Sequence, residues 1–126
     1  LTRGRLVLLD IQQEMLDMAK RRLDKRGIRN VEYRLTNGLG FDFENTLFDR
    51  IFMVTVIGEV ENKESYLQEI YTILKDDGIL SISELAGDPD KMSVEKLKAL
   101  VCQYGFKVAH IYGSRLNFTV NFKKTV

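Results

Sequence analysis

Cysteine, histidine, proline and tryptophan are almost missing from this 126-residue sequence, and their scarcity excludes several kinds of protein. Cys102 is the single cysteine, so a disulfide framework within the chain is excluded. His110 is the single histidine, and the chain has too few nitrogen and sulfur ligands for a zinc-type cluster. We therefore predict no metal ligands from the sequence.

Long apolar runs are also missing. No stretch reaches the roughly 18 apolar residues that a membrane-spanning helix needs, and the opening LTRGRLVLLD lacks the features of a secretory signal. We therefore predict a soluble, cytoplasmic protein without a membrane span. With 44% hydrophobic and 29% charged residues, the composition predicts one globular domain over residues 1–126.

Charge of either sign is nearly balanced, with a formal net charge of +1. The most basic stretch, residues 20–29, includes Asp24, follows Asp17 and carries no aromatic residue. This pattern favours a solvated helix face over a nucleic-acid surface, in which aromatic side chains would be interleaved. We expect no nucleic-acid partner.

Strand and helix patterns alternate along the chain. Apolar runs at 5–9 and 50–57 predict strands buried on both faces, and period-two alternation predicts a strand at 31–35. Further strands are expected at 79–83, 106–112 and 116–122, the last two as a hairpin. Helical spacing predicts helices at 13–26, 66–74 and 93–104, the second broken by Asp76, Asp77 and Gly78. The order predicts an α/β fold with a doubly wound, mostly parallel sheet and a C-terminal antiparallel hairpin.

Ligands of open α/β sheets bind beyond the carboxyl ends of the strands, which selects residue 10, residues 36–40 and residues 54–59. We expect these three segments to converge. Asp10 ends a buried strand and can accept hydrogen bonds from both hydroxyls of a ribose. Equally, it can cap the following helix, with Gln13 completing a capping box.

Other polar residues near these segments carry weaker signals. The loop TNGLG offers Asn37 and backbone amides to a ligand, although an ordinary turn has the same composition. Glu59 can act as a general base, but solvent exposure or charge complementation at a helix N-terminus is the commoner role. His110 lies within a strand, which favours a hydrogen-bonded structural histidine. No nucleophile and base form an evident pair, so we name no catalytic residue.

Three segments taken together resemble a known enzyme family. They are RLVLLDIQQEMLDMAKRRL, FDRIFMVTVIGEVENKESYLQEIYTILKDDGILSISE and GFKVAHIYGSRLNFTVNFKK. The chain resembles the class I S-adenosylmethionine-dependent methyltransferases of the type 11 kind, similar to the ubiquinone and menaquinone biosynthesis methylases. The resemblance implies a Rossmann-like fold and methyl transfer from S-adenosylmethionine to a small-molecule acceptor.

The resemblance also implies which residues hold the adenosine end of the cofactor. Asp10 would bind the ribose hydroxyls and Ile11 would cover the adenine, which favours the ribose role of Asp10 over the cap. Asn37, followed by Gly38, stands where the family usually has an aspartate for the adenine amino group. Its side-chain oxygen can accept the same hydrogen bond without charge.

The methionine end of the cofactor is implied to lie at the strand predicted for residues 50–57. Val54 and Thr55 would line the cofactor there, and Gly58 and Glu59 would face the acceptor. The family's LKPGG turn is LKDDG here, which keeps Gly78 and implies no functional change.

The sequence departs from the family pattern at its N-terminal end. Members begin with a strand and a G-x-G-x-G loop, and nothing similar precedes Leu1. In the family that strand lies between those predicted at 5–9 and 50–57, so each of these would have an unpaired edge and self-association would be favoured. We interpret the chain as a fragment of a longer protein, in preference to an assembly or a re-closed sheet.

Two other functions stay open at this point. A non-catalytic binding or assembly module with the same fold would not bind the cofactor. A nicotinamide-dependent Rossmann enzyme would also use an acidic residue at the position of Asp10, although the closing hairpin and the LKDDG segment favour the methyltransferase.

Overall fold

The computed structural model describes residues 4–36, 41, 43 and 45–125. The chain forms two compact units, Leu1–Phe41 and Asp42–Val126. The single domain predicted for residues 1–126 stays a prediction. None of the helices in the described ranges is long and apolar enough to cross a membrane.

The first unit is a strand, helix, strand element. It contains β1 (Leu6–Asp10), α1 (Gln13–Lys25) and β2 (Val31–Leu35), and the two strands are parallel. Helix α1 ends at Lys25, and Gly27 terminates it as predicted, with a φ of +71° in the left-handed region that glycine adopts without strain. Its N–H donates to the carbonyl oxygen of Asp24 at 3.0 Å, which closes the last turn.

The second unit is a four-stranded mixed sheet with two helices. It contains β3 (Phe48–Val54), α2 (Lys63–Ile73), β4 (Leu74–Glu84), α3 (Val94–Val101), β5 (Phe106–Gly113) and β6 (Phe118–Lys124). The strand order is β3-β4-β6-β5, with β3 and β4 parallel and β6 antiparallel to both neighbours. The predicted α/β class with parallel strands and a C-terminal antiparallel hairpin is confirmed.

The core of the second unit lies on one face of this sheet. Alternate residues of β4 and β6 are fully buried, as are the apolar stripes of α2 and α3; they are Leu80, Ile82, Val120, Phe122, Leu67, Ile70, Leu97 and Val101. Ser93 begins α3 as predicted, because its side-chain oxygen accepts the Lys96 N–H at 3.2 Å.

The strand predicted for residues 50–57 is wrong at both ends. It begins at Phe48 and ends at Val54, and Ile57–Glu59 form a short 3-10 helix instead. Thr55 has a φ of +55°, which turns the chain out of the extended conformation. Its N–H still donates to the carbonyl oxygen of Ser83 at 2.9 Å, so the turn begins directly from the sheet.

The turn predicted at residues 76–78 is also wrong. Helix α2 passes directly into β4 at Leu74, and the pairing moves from Phe48 opposite Leu74 to Arg50 opposite Ile79. The residues between form a bulge within β4, not a connection before it. The buried ammonium group of Lys124 holds this bulge, because it donates to the carbonyl oxygen of Leu74 and to Asp76.

Lys124 gives a stability prediction. Its side chain is 5% exposed and its Nζ lies 4.2 Å from the centre of the Tyr71 ring. Lys124→Met should destabilise the chain by about 2 kcal/mol, because the Leu74 carbonyl oxygen loses a buried charged donor. Urea unfolding compares it with Lys123→Met, which removes an exposed ammonium one residue away. Equal midpoints for the two variants would contradict this role.

Strands β1 and β3 each have one edge without a partner strand. Within the described residues, β1 pairs with β2 and β3 pairs with β4, and no further strand borders either of them. The unpaired edge expected for each of these two strands is therefore present in the described part of the chain.

Candidate functional site

Asp10 is the last residue of β1 and is partly exposed. Oδ1 accepts the backbone N–H of Gln12 at 2.9 Å, the one donor found on this carboxylate among the described residues. Helix α1 begins after Gln12, and the Gln13 side chain donates to Asp17 at 3.0 Å. The capping box that the sequence left open is therefore wrong, and Oδ2 is available to a ligand.

Ile11 follows Asp10 and is 63% exposed. An exposed branched apolar side chain beside an acceptor carboxylate suits a ligand with one flat apolar part and one hydroxyl-bearing part. The predicted contact of Ile11 with adenine stays a prediction. Asn37 and Gly38 lie outside the described residues, so their predicted roles stay predictions as well.

Val54 and Thr55 lie at the carboxyl end of β3. Val54 is 45% exposed, and Thr55 carries the left-handed backbone conformation that a β-branched residue rarely adopts. The Thr55 hydroxyl donates to the Val54 carbonyl oxygen at 2.7 Å, so its proton is engaged in a hydrogen bond to the backbone. Strain of this kind is concentrated at functional sites. The expected convergence of Asp10 with these residues stays a prediction, because they belong to different units.

A shallow hollow of about 270 Å³ opens beside Val54. Its wall is mostly apolar and comes from the carboxyl ends of β4 and β5 and the start of β6; it includes Leu85, Tyr112, Asn117 and Phe118. Ser83 and Thr119 contribute hydroxyl groups that share a 2.6 Å hydrogen bond. The hollow therefore combines an apolar surface with a small polar centre.

The sequence prediction missed Ser83, Tyr112 and Asn117 as lining residues. One signal was available, because the pattern ILSISE places serines on the face of β4 opposite its apolar residues. His110 lies in β5 as expected, but it is exposed and packs on Tyr112, with 4.2 Å between the ring centres.

Gly58 and Glu59 lie in the 3-10 helix after β3. Gly58 lies against the loop after β4 so closely that a Cβ atom would approach the Asp90 carbonyl oxygen to 1.9 Å. Glu59 is exposed on the same turn. Whether either residue faces an acceptor, as the resemblance implied, stays a prediction.

Glu84, the last residue of β4, is fully buried. Burial raises the pKa of its carboxyl group above the ordinary value of 4.5, and the charges of Asp88 and Glu59 act in the same direction. The Met92 backbone N–H and the Lys91 ammonium oppose this rise. A carboxyl group with a raised pKa in the folded state binds its proton more tightly there than in the unfolded chain.

The buried Glu84 predicts a pH dependence of stability. The stabilisation that follows from the raised pKa is fully present below pH 4.5, and it is lost as pH rises through the folded-state pKa. We expect the free energy of urea unfolding to decline from about pH 4 to about pH 7, and Glu84→Gln should lack this decline. The buffer contains EDTA so that divalent cations do not contribute. Parallel pH profiles for the two proteins would contradict the assignment.

Comparison with known proteins identifies relatives. A family described as "Methyltransferase domain" matches residues 1–119. The ubiquinone/menaquinone biosynthesis C-methyltransferase UbiE of Hydrogenovibrio crunogenus is 36% identical over 84 residues, which cover 66% of this chain and 33% of that protein. The UbiE protein of Escherichia fergusonii is 33% identical over 112 residues, which cover 88% of this chain and 43% of that protein. The chain therefore spans less than half the length of these curated relatives.

Solved structures share the fold. A SAM-dependent methyltransferase from Aquifex aeolicus matches with a TM-score of 0.84 at 22% identity, covering 94% of this chain and 68% of that one. A S-adenosylmethionine-dependent methyltransferase from Clostridium acetobutylicum matches with a TM-score of 0.79 at 11% identity, covering 96% and 75%. At these identities the likeness establishes the fold alone. Because the family match extends over residues 1–119, the chain belongs to the methyltransferase-domain family.

Proposed function

We propose that this chain is part of a cytoplasmic enzyme that transfers a methyl group from S-adenosylmethionine to a small-molecule acceptor. The observation that carries the proposal is the Asp10 carboxylate at the carboxyl end of β1, in a chain of the methyltransferase-domain family. One of its oxygens is held by the Gln12 N–H, which orients the other for a ligand. Ligands of α/β sheets bind at this end of the strands.

Two described residues, Asp10 and Ile11, support binding of the adenosine part of the cofactor. Asp10 offers a charged acceptor for ribose hydroxyls, and charge-assisted hydrogen bonds of this kind are about twice as strong as neutral ones. Ile11 offers an exposed apolar surface for a purine ring. Asn37, with Gly38, would accept the hydrogen bond of the adenine amino group.

When bound, S-adenosylmethionine supplies an activated methyl group on a sulfonium. The residues of this chain would position it and the acceptor, and methyl transfer can derive its rate mainly from alignment and exclusion of water. Val54 and Thr55 would contact the methionine part. The hollow beside Val54 would hold an apolar acceptor, with the Ser83 and Thr119 hydroxyl groups near its polar atom. No catalytic acid or base is required by this proposal.

The partners follow from the same proposal. A small-molecule acceptor is favoured over nucleic acid, because the basic residues of α1 are interleaved with acidic ones. Self-association is supported by the unpaired edges of β1 and β3.

Calorimetric titration tests the proposal. The chain and a version extended by the upstream coding sequence are each titrated with S-adenosylmethionine and S-adenosylhomocysteine. We expect saturable binding to the extended version and weaker or no binding to the chain alone, because the family's glycine-rich loop is missing from it. Equal binding to both would indicate that the chain forms the site by itself. If neither version binds, the enzyme proposal fails and the non-catalytic module replaces it.

A further inference from the structure

Three carboxylates meet where β3 and β4 end in the second unit. Glu59 lies in the 3-10 helix after β3, and Asp88 and Asp90 lie in the loop after β4. One oxygen from each lies within 4.8 Å of the others. Like charges at this spacing repel one another unless a cation lies between them.

The backbone holds these three residues in place. The Asp90 N–H donates to the Asp88 carboxylate at 3.0 Å, and the Asp88 N–H donates to the Leu85 carbonyl oxygen at 3.4 Å. Gly58 packs directly against the Asp90 carbonyl group, which brings the Glu59 turn to the loop. Residues far apart in sequence are therefore brought together by backbone packing.

A fourth carboxyl group lies beside the cluster. Glu84 is 0% exposed, and among the described residues neither of its oxygens makes a hydrogen bond of normal geometry, although the Met92 N–H and the Lys91 ammonium are near enough to lower its pKa. It is close enough to Asp88 and Glu59 for both of their charges to raise its pKa. A buried, unpartnered carboxyl group is costly, and it points to a ligand that would pair with it.

The nearby lysines make their hydrogen bonds to backbone carbonyl oxygens, although the charge of Lys91 still lowers the pKa of Glu84. Lys63 Nζ donates to the carbonyl oxygen of Val60 at 2.8 Å, and Lys91 Nζ donates to the carbonyl oxygens of Arg115 and Leu116 at 2.9 and 2.6 Å. Within the described part of the chain, none of the four carboxyl groups forms a salt bridge.

We propose that Glu59, Asp88 and Asp90, joined by Glu84, bind a hard divalent cation, Mg²⁺ or Ca²⁺. Carboxylate oxygens are the ligands these ions prefer, and water would complete the coordination at the exposed side. A set without nitrogen or sulfur disfavours zinc and copper. The sequence prediction of no metal ligands considered zinc-type clusters and did not weigh carboxylates separated in sequence. The proposal does not depend on methyl transfer.

Titration with the metal alone tests the site. The chain is titrated calorimetrically with MgCl₂ and with CaCl₂ at constant ionic strength. We expect one saturable site per chain for at least one of the ions, and the paired variant Asp88→Asn, Asp90→Asn should weaken it at least about tenfold, since two ligand charges are lost. Asp77→Asn, which neutralises an exposed acid elsewhere in the unit, should bind as the parent does. Absence of a saturable site, or equal binding by both variants, would overturn the proposal.

A local readout keeps the test independent of folding defects. Mn²⁺ added in trace amounts should broaden the amide resonances of residues 58–59 and 88–90 before any others. Glu84→Gln should retain the native circular dichroism spectrum and bind the cation more weakly than the parent. Broadening spread over the acidic surface, or unchanged affinity in Glu84→Gln, would show a non-specific attraction and would overturn the four-carboxylate site.

Discussion

Asp10→Ala is expected to weaken S-adenosylmethionine binding on the order of 10- to 100-fold in the cofactor-binding form of the protein. A hydrogen bond to a charged group contributes about 1.5–3 kcal/mol, and each 1.4 kcal/mol is a factor of ten in affinity. The change removes the acceptor for the ribose hydroxyls and also frees the Gln12 N–H. Calorimetry on the version that binds cofactor measures the effect.

Two controls separate the possible causes of this loss. Asp10→Asn keeps an oxygen for the Gln12 N–H and should lose less affinity, because only the charge is removed. Asp17→Ala removes an exposed carboxylate from α1 of the same unit and should bind as the parent does. If Asp10→Ala binds the cofactor with unchanged affinity, the ribose role is wrong.

Gly58→Ala is expected to destabilise the chain by about 2 kcal/mol, within the range typical of overpacking. The new methyl group would lie 1.9 Å from the Asp90 carbonyl oxygen, which is backbone and cannot rotate away as a side chain would. The loop after β4 must therefore move away from the 3-10 helix. The same movement should separate Glu59 from Asp90 and weaken divalent-cation binding.

Gly87→Ala is the matched control for Gly58→Ala. Gly87 lies in the same loop, and a Cβ atom there would meet nothing within 4 Å, although its φ of +92° adds backbone strain. This variant should lose some stability and keep its cation affinity. Urea unfolding and calorimetric titration on both variants measure the two effects. If both glycine variants bind the cation equally well, the close contact of Gly58 does not position the site.

Local signals predicted most of the elements. Apolar periodicity located α1, and a left-handed glycine at residue 27 ended it, because both features act within a few residues. The capping side chain of Ser93 and the hairpin of β5 and β6 were predicted for the same reason. The two wrong strand boundaries lie where groups distant in sequence act. The Thr55 N–H donates to the Ser83 carbonyl oxygen where β3 ends, and the Lys124 ammonium donates to the Leu74 carbonyl oxygen just before residues 75–78.

The residues of the candidate site also divide into those that local sequence signals predicted and those that they did not. Asp10 could be selected from the sequence because an acid at the end of an apolar strand has few roles, and the structure removed the capping alternative. The lining of the hollow and the burial of Glu84 could not be predicted, since both depend on contacts between distant segments that no local pattern encodes.

The sequence by itself determined the fold class and the acidic residue at the end of β1, because side-chain period and strand-end chemistry are local properties. The resemblance of three sequence segments indicated the family. Only the tertiary structure decided that Thr55 adopts a left-handed conformation, that β4 contains a bulge, and that Glu84 is buried. It also brought Glu59 to Asp88 and Asp90. The physical reason is that these features arise from packing between strands and loops distant along the chain, where a glycine without a Cβ allows two backbones to touch.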